Sequence, residues 1–187
     1  DPADLAAAGV VLVAVGLRDG GDMNLKRLAK HLFLPSWWVQ RGLTAADLAA
    51  IESAVAESEK KHRGELRIVF EGPLPWFVLW RYRTARERAA QLFAQLGVWD
   101  TEDNSGLLIY IQLVDHHIEI LADRGITRCV AQTEWDALCA SLAPMLKQKN
   151  YREAGLLAVS KAGALLVRYF PARADNPNEL PNQPVRL

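Results

Sequence analysis

The run Gly106-Leu107-Leu108-Ile109-Tyr110-Ile111-Gln112-Leu113-Val114 has almost no polar side chain to offer water. A strand that is apolar on both faces must sit inside a sheet with packed layers above and below it. Asp115-His116 follows as a tight turn, and His117 to Asp123 returns as an antiparallel partner in which Ile118, Ile120 and Ala122 alternate with Glu119 and Leu121. A two-residue turn there pairs Gly106 with Gly125 and Leu108 with Asp123. Upstream, Glu65 to Glu71 reads as a strand, with Leu66, Ile68 and Phe70 alternating with Arg67, Val69 and Glu71. A helix separates it from the central strand, so the two are expected to be parallel, joined by a right-handed crossover.

The covering layers announce themselves by their caps. Thr44 with Asp47 and Thr84 with Glu87 are capping boxes in which the acid three residues on closes the first turn. Behind the first, Leu48, Ile51 and Val55 share one face, and Gly64 is placed as the terminator; behind the second come Ala89, Leu92, Phe93 and Leu96, with Gly97 as the stop. Thr133 with Asp136 starts a third helix that turns Trp135, Leu138, Cys139, Leu142 and Leu146 inward. Asn150 with Glu153 starts a fourth, which Pro171 ends. The irregular run Trp76-Phe77-Val78-Leu79-Trp80, after Pro73 and Pro75, fits either a strand or a turn of helix. The fold class is therefore α/β: a three-layer α/β/α sandwich around a small mixed sheet, made of a parallel crossover pair plus an antiparallel hairpin.

Residues 44–170 carry this pattern. Residues 1–22 read as an N-terminal extension not native to the domain, because Met23 resembles a natural start; the apolar run Ala6 to Leu17 is too short to span a bilayer and has no basic flank before it. Residues 23–43 form a basic, aromatic arm: Leu25, Leu28 and Leu32 at helical spacing, Pro35 as the stop, then Trp37-Trp38. Residues 171–187, rich in Pro and Asn, read as extended surface chain. Acids and bases balance at 22 each, so no global field recruits nucleic acid, and no basic stripe interleaved with aromatics runs on into the domain. Cys129 and Cys139, ten residues apart, match neither a CxxC pair nor a zinc knuckle; Cys139 reads as a buried thiol.

Several segments, in this order, resemble the TPM-domain family: Phe93-Ala94-Gln95-Leu96-Gly97-Val98-Trp99, Asp103-Asn104-Ser105-Gly106 with the strand behind it, Glu119-Ile120-Leu121-Ala122-Asp123-Arg124-Gly125-Ile126, and Tyr151-Arg152-Glu153-Ala154-Gly155-Leu156-Leu157. The resemblance extends over roughly residues 24–187. It is nearest to a small bacterial branch with a basic Trp-Trp start and an Asn-Pro-Asn-Glu-Leu-Pro tail, here Asn176 to Pro181, related to the thylakoid-lumen and photosystem-repair members. It implies a compact α/β/α sandwich, calcium binding as in some relatives, and the phosphatase activity proposed for plant members. Many relatives carry secretion signals or membrane anchors, and neither is visible in this sequence. Where relatives have a Gly-aromatic-Gly turn, this chain has Asp123-Arg124-Gly125, which brings Arg124 into the site region.

Four candidate sites follow. Asp100, Glu102, Asp103, Asn104 and Asp123 form an acidic rim with the oxygen density that a hard cation such as Ca2+ requires, although the spacing is not that of an EF-hand; the alternative is a solvated polar loop with Asp103 or Asp123 paired to Arg124. Arg124 and Arg128 on the same rim are phosphate-binding candidates for a metal-dependent, acid-phosphatase-like hydrolase, with Asp103 as nucleophile or ligand, yet no Gly-rich phosphate loop, Cys-x5-Arg or Asp-x-Asp motif accompanies them. No catalytic residue is identified, so the sequence leans away from an enzyme. His116-His117 alternate across a strand end and make a poor metal pair. Lys26, Arg27, Lys30, Trp37, Trp38, Trp76 and Trp80, with Phe77, form a membrane or partner surface unless the arm folds back and its tryptophans complete the core. The expectation is a non-enzymatic accessory or interaction domain, cation-modulated, cytoplasmic and peripheral to the inner membrane. Its partner would be the membrane surface or a membrane protein; nucleic acid is not expected.

Overall fold

A computed structural model describes residues 13–16, 25–34, 41–82 and 84–187. The elements are β1 (Val13–Gly16), α1 (Leu25–Phe33), α2 (Ala45–Glu59), β2 (Glu65–Glu71), α3 (Trp76–Arg81), α4 (Ala85–Gln95), β3 (Gly106–Gln112), β4 (His117–Ala122), α5 (Arg124–Thr127), α6 (Gln132–Lys147), α7 (Tyr151–Tyr169) and β5 (Val185–Arg186). The sheet runs β1-β4-β3-β2-β5, with β3 at its centre as its two apolar faces require. β2 and β3 are parallel, and β3 and β4 are antiparallel. The three-layer mixed-sheet architecture read from the sequence is the observed one.

One face of the sheet presents Leu66, Ile68 and Phe70 of β2, Leu107, Ile109 and Ile111 of β3, and Ile118, Ile120 and Ala122 of β4 to α2, α6 and α7. Trp135, 0% exposed, is the largest side chain of this core. α2 and α7 cross closely because α7 offers glycine at the contact: a Cβ on Gly155 would lie 2.6 Å from Ile51 Cδ1, and one on Gly163 would lie 2.1 Å from Ser58 Oγ. The opposite face packs Val69, Leu108, Tyr110 and Leu121 against Ala89, Leu92 and Phe93 of α4 and against Leu180 of the tail.

The capping boxes at Thr44 and Thr84 form as read, each hydroxyl accepting from the backbone N–H three residues on. The Thr133 box does not: α6 begins at Gln132, with Ala131 as an N-cap that offers no side-chain bond. α2 ends at Glu59, well before Gly64. The run at Trp76 resolves as helix, with Pro75 as an N-cap that has no N–H of its own and whose carbonyl accepts from Val78 N at 2.9 Å and Leu79 N at 3.1 Å.

The hairpin register differs from the expected one by two residues. Leu108 pairs with Leu121, and Asp123 N–H donates to Gly106 O at 2.9 Å, so Asp123 lies across from Gly106 and not from Leu108. Gln112 is the cause. Its Oε1 accepts from Val114 N at 2.7 Å and Asp115 N at 3.0 Å while its Nε2 donates to Gly72 O at 2.6 Å, which ends the ladder at Gln112–His117 and opens a four-residue loop closed by His116 at φ 51°. A shift of two preserves every facing, so the alternation in sequence is blind to it.

Two terminal segments join the sheet where the sequence showed no strand. β1 adds an antiparallel edge on β4 (Val13 opposite Ala122); the rest of residues 1–22 lies outside the described residues. The tail, expected as loose surface chain, is a strap. Asn176 Nδ2 donates to Glu59 O and His62 O at 3.0 and 3.1 Å, Leu180 is buried, and β5 pairs parallel with β2. Its backbone is held by buried charge: Glu65 accepts from Leu180 N at 3.1 Å, and Arg67 donates to Pro181 O and, at 3.3 Å, to Gln183 O. The polar half of β2, which alternation assigns to solvent, is therefore covered. Glu65, Arg67 and Glu71 are all buried. Burial pushes the Glu65 carboxyl up, opposed by the N–H groups of Leu180 and Glu179.

Candidate functional site

The acidic rim lies where β3 begins and β4 ends. Asp123 ends β4 and N-caps α5, a single turn too short to carry a periodic signal; its Oδ1 accepts from Arg124 N at 2.5 Å. Asp123 is 1% exposed, and its Oδ2 is buried without a hydrogen-bond partner. Burial raises its pKa, against the pull of the Arg124 N–H and guanidinium. Asn104, at φ 52°, turns its Oδ1 to Arg124 Nε at 2.6 Å. Asp103 is held by Arg63 at 2.5 Å and Arg173 at 3.5 Å, and of the two acids it is Asp123 that meets Arg124, through the backbone N–H. Gly125 seals the rim: its N–H donates to Asn104 O at 3.0 Å, and a Cβ there would lie 2.5 Å from that oxygen and 2.6 Å from Asp103 O. Asp100 and Glu102 are exposed; the backbone N–H of Glu102 donates to Glu179 Oε2 at 2.8 Å.

The five rim residues are thus neighbours in the fold without converging as carboxylates. Among the described residues, no three His, Cys, Asp or Glu side chains are grouped to hold a metal ion. What the rim offers a cation is one buried, unpartnered carboxylate oxygen, Oδ2 of Asp123. Of the two phosphate candidates, Arg124 is engaged with Asn104 and Arg128 is exposed at the end of α5. His117 pairs with Glu119 at 2.8 Å, and His116 is half-buried in the hairpin loop.

The second region lies at the other end of the parallel strands, where β2 and β3 finish. α1 lies against α3 through a small apolar cluster of Leu28, Leu74, Val78, Leu79 and Tyr82. Outside that cluster the two helices leave their large side chains in water: Leu32 55%, Phe33 85%, Trp76 63%, Phe77 56% and Trp80 71% exposed. Trp76 and Phe77 meet edge to face, with ring centroids 6.2 Å apart. The arm therefore folds back as helix α1, yet Trp76 and Trp80 do not complete the core. Trp37, Trp38 and the side chain of Lys26 lie outside the described residues. Lys30 is exposed. Arg27, read from the sequence as part of the outer surface, is instead partly buried and bonded to Asp115 Oδ2 at 2.9 Å.

Sequence reasoning missed what holds this arm down. His31 is buried, accepts from Leu74 N at Nδ1 (2.9 Å) and meets Asp115 Oδ2 with Nε2 (3.2 Å). Burial pushes the Asp115 carboxyl up, but the His31 bond and the Arg27 charge outweigh it and hold the group below the usual carboxylate range. Nothing in a lone histidine on a basic helix, or in an aspartate in a turn, signals that they meet.

A three-layer α/β/α domain with a parallel crossover pair, an antiparallel hairpin and a polar rim at the start of the central strand is the class these features define. The chain belongs to the TPM domain family, whose model matches residues 40–165. Among solved structures it is similar to the BA42 protein from the psychrophilic bacterium Bizionia argentinensis, determined by NMR, at 30% identity and a TM-score of 0.69, over 78% of this chain and 95% of that one. No curated protein matches the chain.

Proposed function

We propose that this chain is a non-enzymatic interaction domain of the TPM family that docks peripherally on an anionic membrane surface through the outer faces of α1 and α3. The observation that carries the reading is the cluster of five large apolar side chains, Leu32, Phe33, Trp76, Phe77 and Trp80, left in water on two adjoining helices. An apolar cluster of this kind marks a binding surface, and tryptophan suits the boundary between headgroups and acyl chains. Charge selects the partner. The stretches of sequence around α1 and α3, residues 23–46 and 72–86, contain seven Lys and Arg residues (four and three) and no Asp or Glu, and of these Arg27 is bonded to Asp115. A basic surface with exposed tryptophan is what a leaflet of anionic lipid attracts. No helix among the described residues is long and apolar enough to cross a membrane, which suits a peripheral mode. The cytoplasmic leaflet of the inner membrane is the proposed location.

The double variant Trp76→Ala/Trp80→Ala is expected to lose about tenfold or more in partition onto vesicles containing phosphatidylglycerol, read by flotation, because two interfacial anchors are removed while the buried faces of both helices stay intact. Binding by the wild type is expected to weaken with added salt. Flotation of the double variant equal to wild type counts against the surface.

A second element favours cation modulation. Among the rim residues, Oδ2 of Asp123 is the one buried side-chain oxygen without a hydrogen-bond partner. Calcium or a similar hard ion suits such oxygens, and the same ion is what a phosphatase at this rim would need. Amide shifts confined to residues 100–105 and 123–128 on adding millimolar calcium, abolished by Asp123→Asn, are the expected result; unchanged spectra leave the rim as a polar loop.

A further inference from the structure

We propose that the outer edge of β2 is a peptide-binding groove, that residues 176–187 are its ligand, and that the groove accepts this segment from a second copy of the chain as well as from its own. The inference does not rest on the membrane surface proposed above.

The groove holds the segment as a strand-addition site holds a peptide: main-chain bonds supply the attachment and a few side chains supply the choice. Glu65 accepts from Leu180 N at 3.1 Å, and Arg67 donates to Pro181 O and, at 3.3 Å, to Gln183 O. Further along the edge, Leu187 N donates to Phe70 O and Gly72 N donates to Leu187 O, both at 2.9 Å. Two side chains identify the segment. Asn176 Nδ2 bridges Glu59 O and His62 O, and Leu180 is buried in the cluster that holds Val69 and Leu108.

The chemistry of the floor marks a site and not a layer of the core. Glu65 and Arg67 are buried with the segment in place, and their hydrogen bonds run to its backbone and not to each other. Charges are costly inside a core, whereas at an emptied strand edge both side chains return to water. The groove can therefore stand open, as an apolar core face cannot. Nor does the segment satisfy it completely, since Arg67 Nε and Asn182 Oδ1 are buried without partners.

The tether permits exchange. Ala172 N donates to Lys61 O at 3.1 Å, which is the last backbone bond before the segment. Arg173, Ala174 and Asp175 are exposed, and Asn176 is the first residue seated. Each bond of the groove is made to residues 176–187 and is the same whichever copy supplies them. The sequence that fits is present on every copy, which makes a second copy the partner. A short tether holds its segment at an effective concentration on the order of millimolar, so cis seating prevails in dilute protein and exchange follows when the cis segment is spoiled or the chains are crowded.

The test mixes two variants of the whole chain. Asn176→Ala/Leu180→Asp keeps the groove and spoils the segment. Glu65→Lys/Arg67→Glu keeps the segment and reverses the groove, setting a donor against Leu180 N and a carboxylate against the carbonyls of Pro181 and Gln183. Each alone is expected to sediment as a monomer at about 100 μM, and the equimolar mixture is expected to form a heterodimer. Adding Leu180→Asp to the groove-reversed chain is expected to return the mixture to monomers. A mixture of folded chains that stays monomeric overturns the proposal, and so does a heterodimer that survives the added Leu180→Asp, since another surface would then join the copies. If either variant does not fold, a protease site placed between Arg173 and Asp175 of the otherwise unchanged chain decides. After cutting, a labelled peptide of residues 176–187 is expected to enter the groove, read by fluorescence anisotropy, and its Leu180→Asp form is expected to compete about tenfold or more less well. Cut protein that takes up no peptide overturns the proposal.

Discussion

Replacing Arg88 with methionine is expected to lower the unfolding free energy by about 3–5 kcal/mol, because it strands a buried carboxylate. Glu71 lies at the end of β2 with its side chain 5% exposed. Arg88 Nε reaches its two oxygens at 3.0 and 3.1 Å, a second guanidinium nitrogen bonds Oε1, and the Tyr110 hydroxyl donates to Oε2 at 2.7 Å. Burial works against the charge on Arg88, but the Glu71 hydrogen bonds and charge outweigh it and keep the guanidinium more firmly protonated than usual. Burial, and then the neighbouring Glu71 carboxylate, push the Tyr110 hydroxyl well above its ordinary range. With Arg88 gone, Glu71 keeps one neutral donor in a site closed to water. Urea unfolding measures the loss. The companion Arg88→Met/Glu71→Leu is expected to recover most of it, since no unpaired charge remains. A double variant no better than the single would show that the loss comes from packing on Tyr82, whose ring centroid lies 5.8 Å from the guanidinium carbon, and not from the stranded charge.

The second large effect concerns pH. Glu59 ends α2 at 6% exposure; one oxygen accepts from Leu66 N at 2.9 Å, and the other is buried without a partner. Burial pushes its pKa up to about 8, beyond what the Leu66 bond restores. The folded state therefore holds this proton more tightly than the unfolded chain, whose group titrates at 4.5. Its contribution is fully present below the unfolded value, falls as pH rises from there, and is lost by the time pH passes about 8. Across that window the wild type is expected to lose on the order of 3–5 kcal/mol relative to Glu59→Gln, which cannot ionise. The difference in pH slope is the readout, because the glutamine NH2 carries its own burial cost. Denaturant midpoints that run parallel from about pH 5 to about pH 8.5 would mean that Glu59 stays charged and paired within the fold.

What the sequence disclosed and what it withheld follow from the range of each interaction. Strands β2 and β3 and the caps at Thr44 and Thr84 are written in residues two or three apart, and all were legible. The hairpin register was not, because it depends on a Gln112 side chain reaching across to Gly72. Arg67 and Glu71 read as a solvent face because nothing in their alternation says that a distant tail and α4 will cover them; β5, only two residues long, has no period of its own. At the candidate site the aromatic surface was legible as composition, since Trp76, Phe77 and Trp80 crowd one short run. The contact that holds the arm down was not, because Arg27 and His31 stand 88 and 84 residues from the Asp115 that holds them. Asp123 was found as an acid of the rim, but its orphaned oxygen exists only once α5 has folded over it.

The most direct measurement of the docking surface is quenching of tryptophan fluorescence by vesicles whose anionic lipids carry bromine on the acyl chains. Wild type is expected to be quenched on binding, and Trp76→Phe/Trp80→Phe, which keeps an aromatic surface but removes two of the six tryptophans, is expected to lose part of that quenching while still binding. Binding without quenching in the wild type, or quenching undiminished in the double variant, would place these two rings away from the lipid and contradict the account.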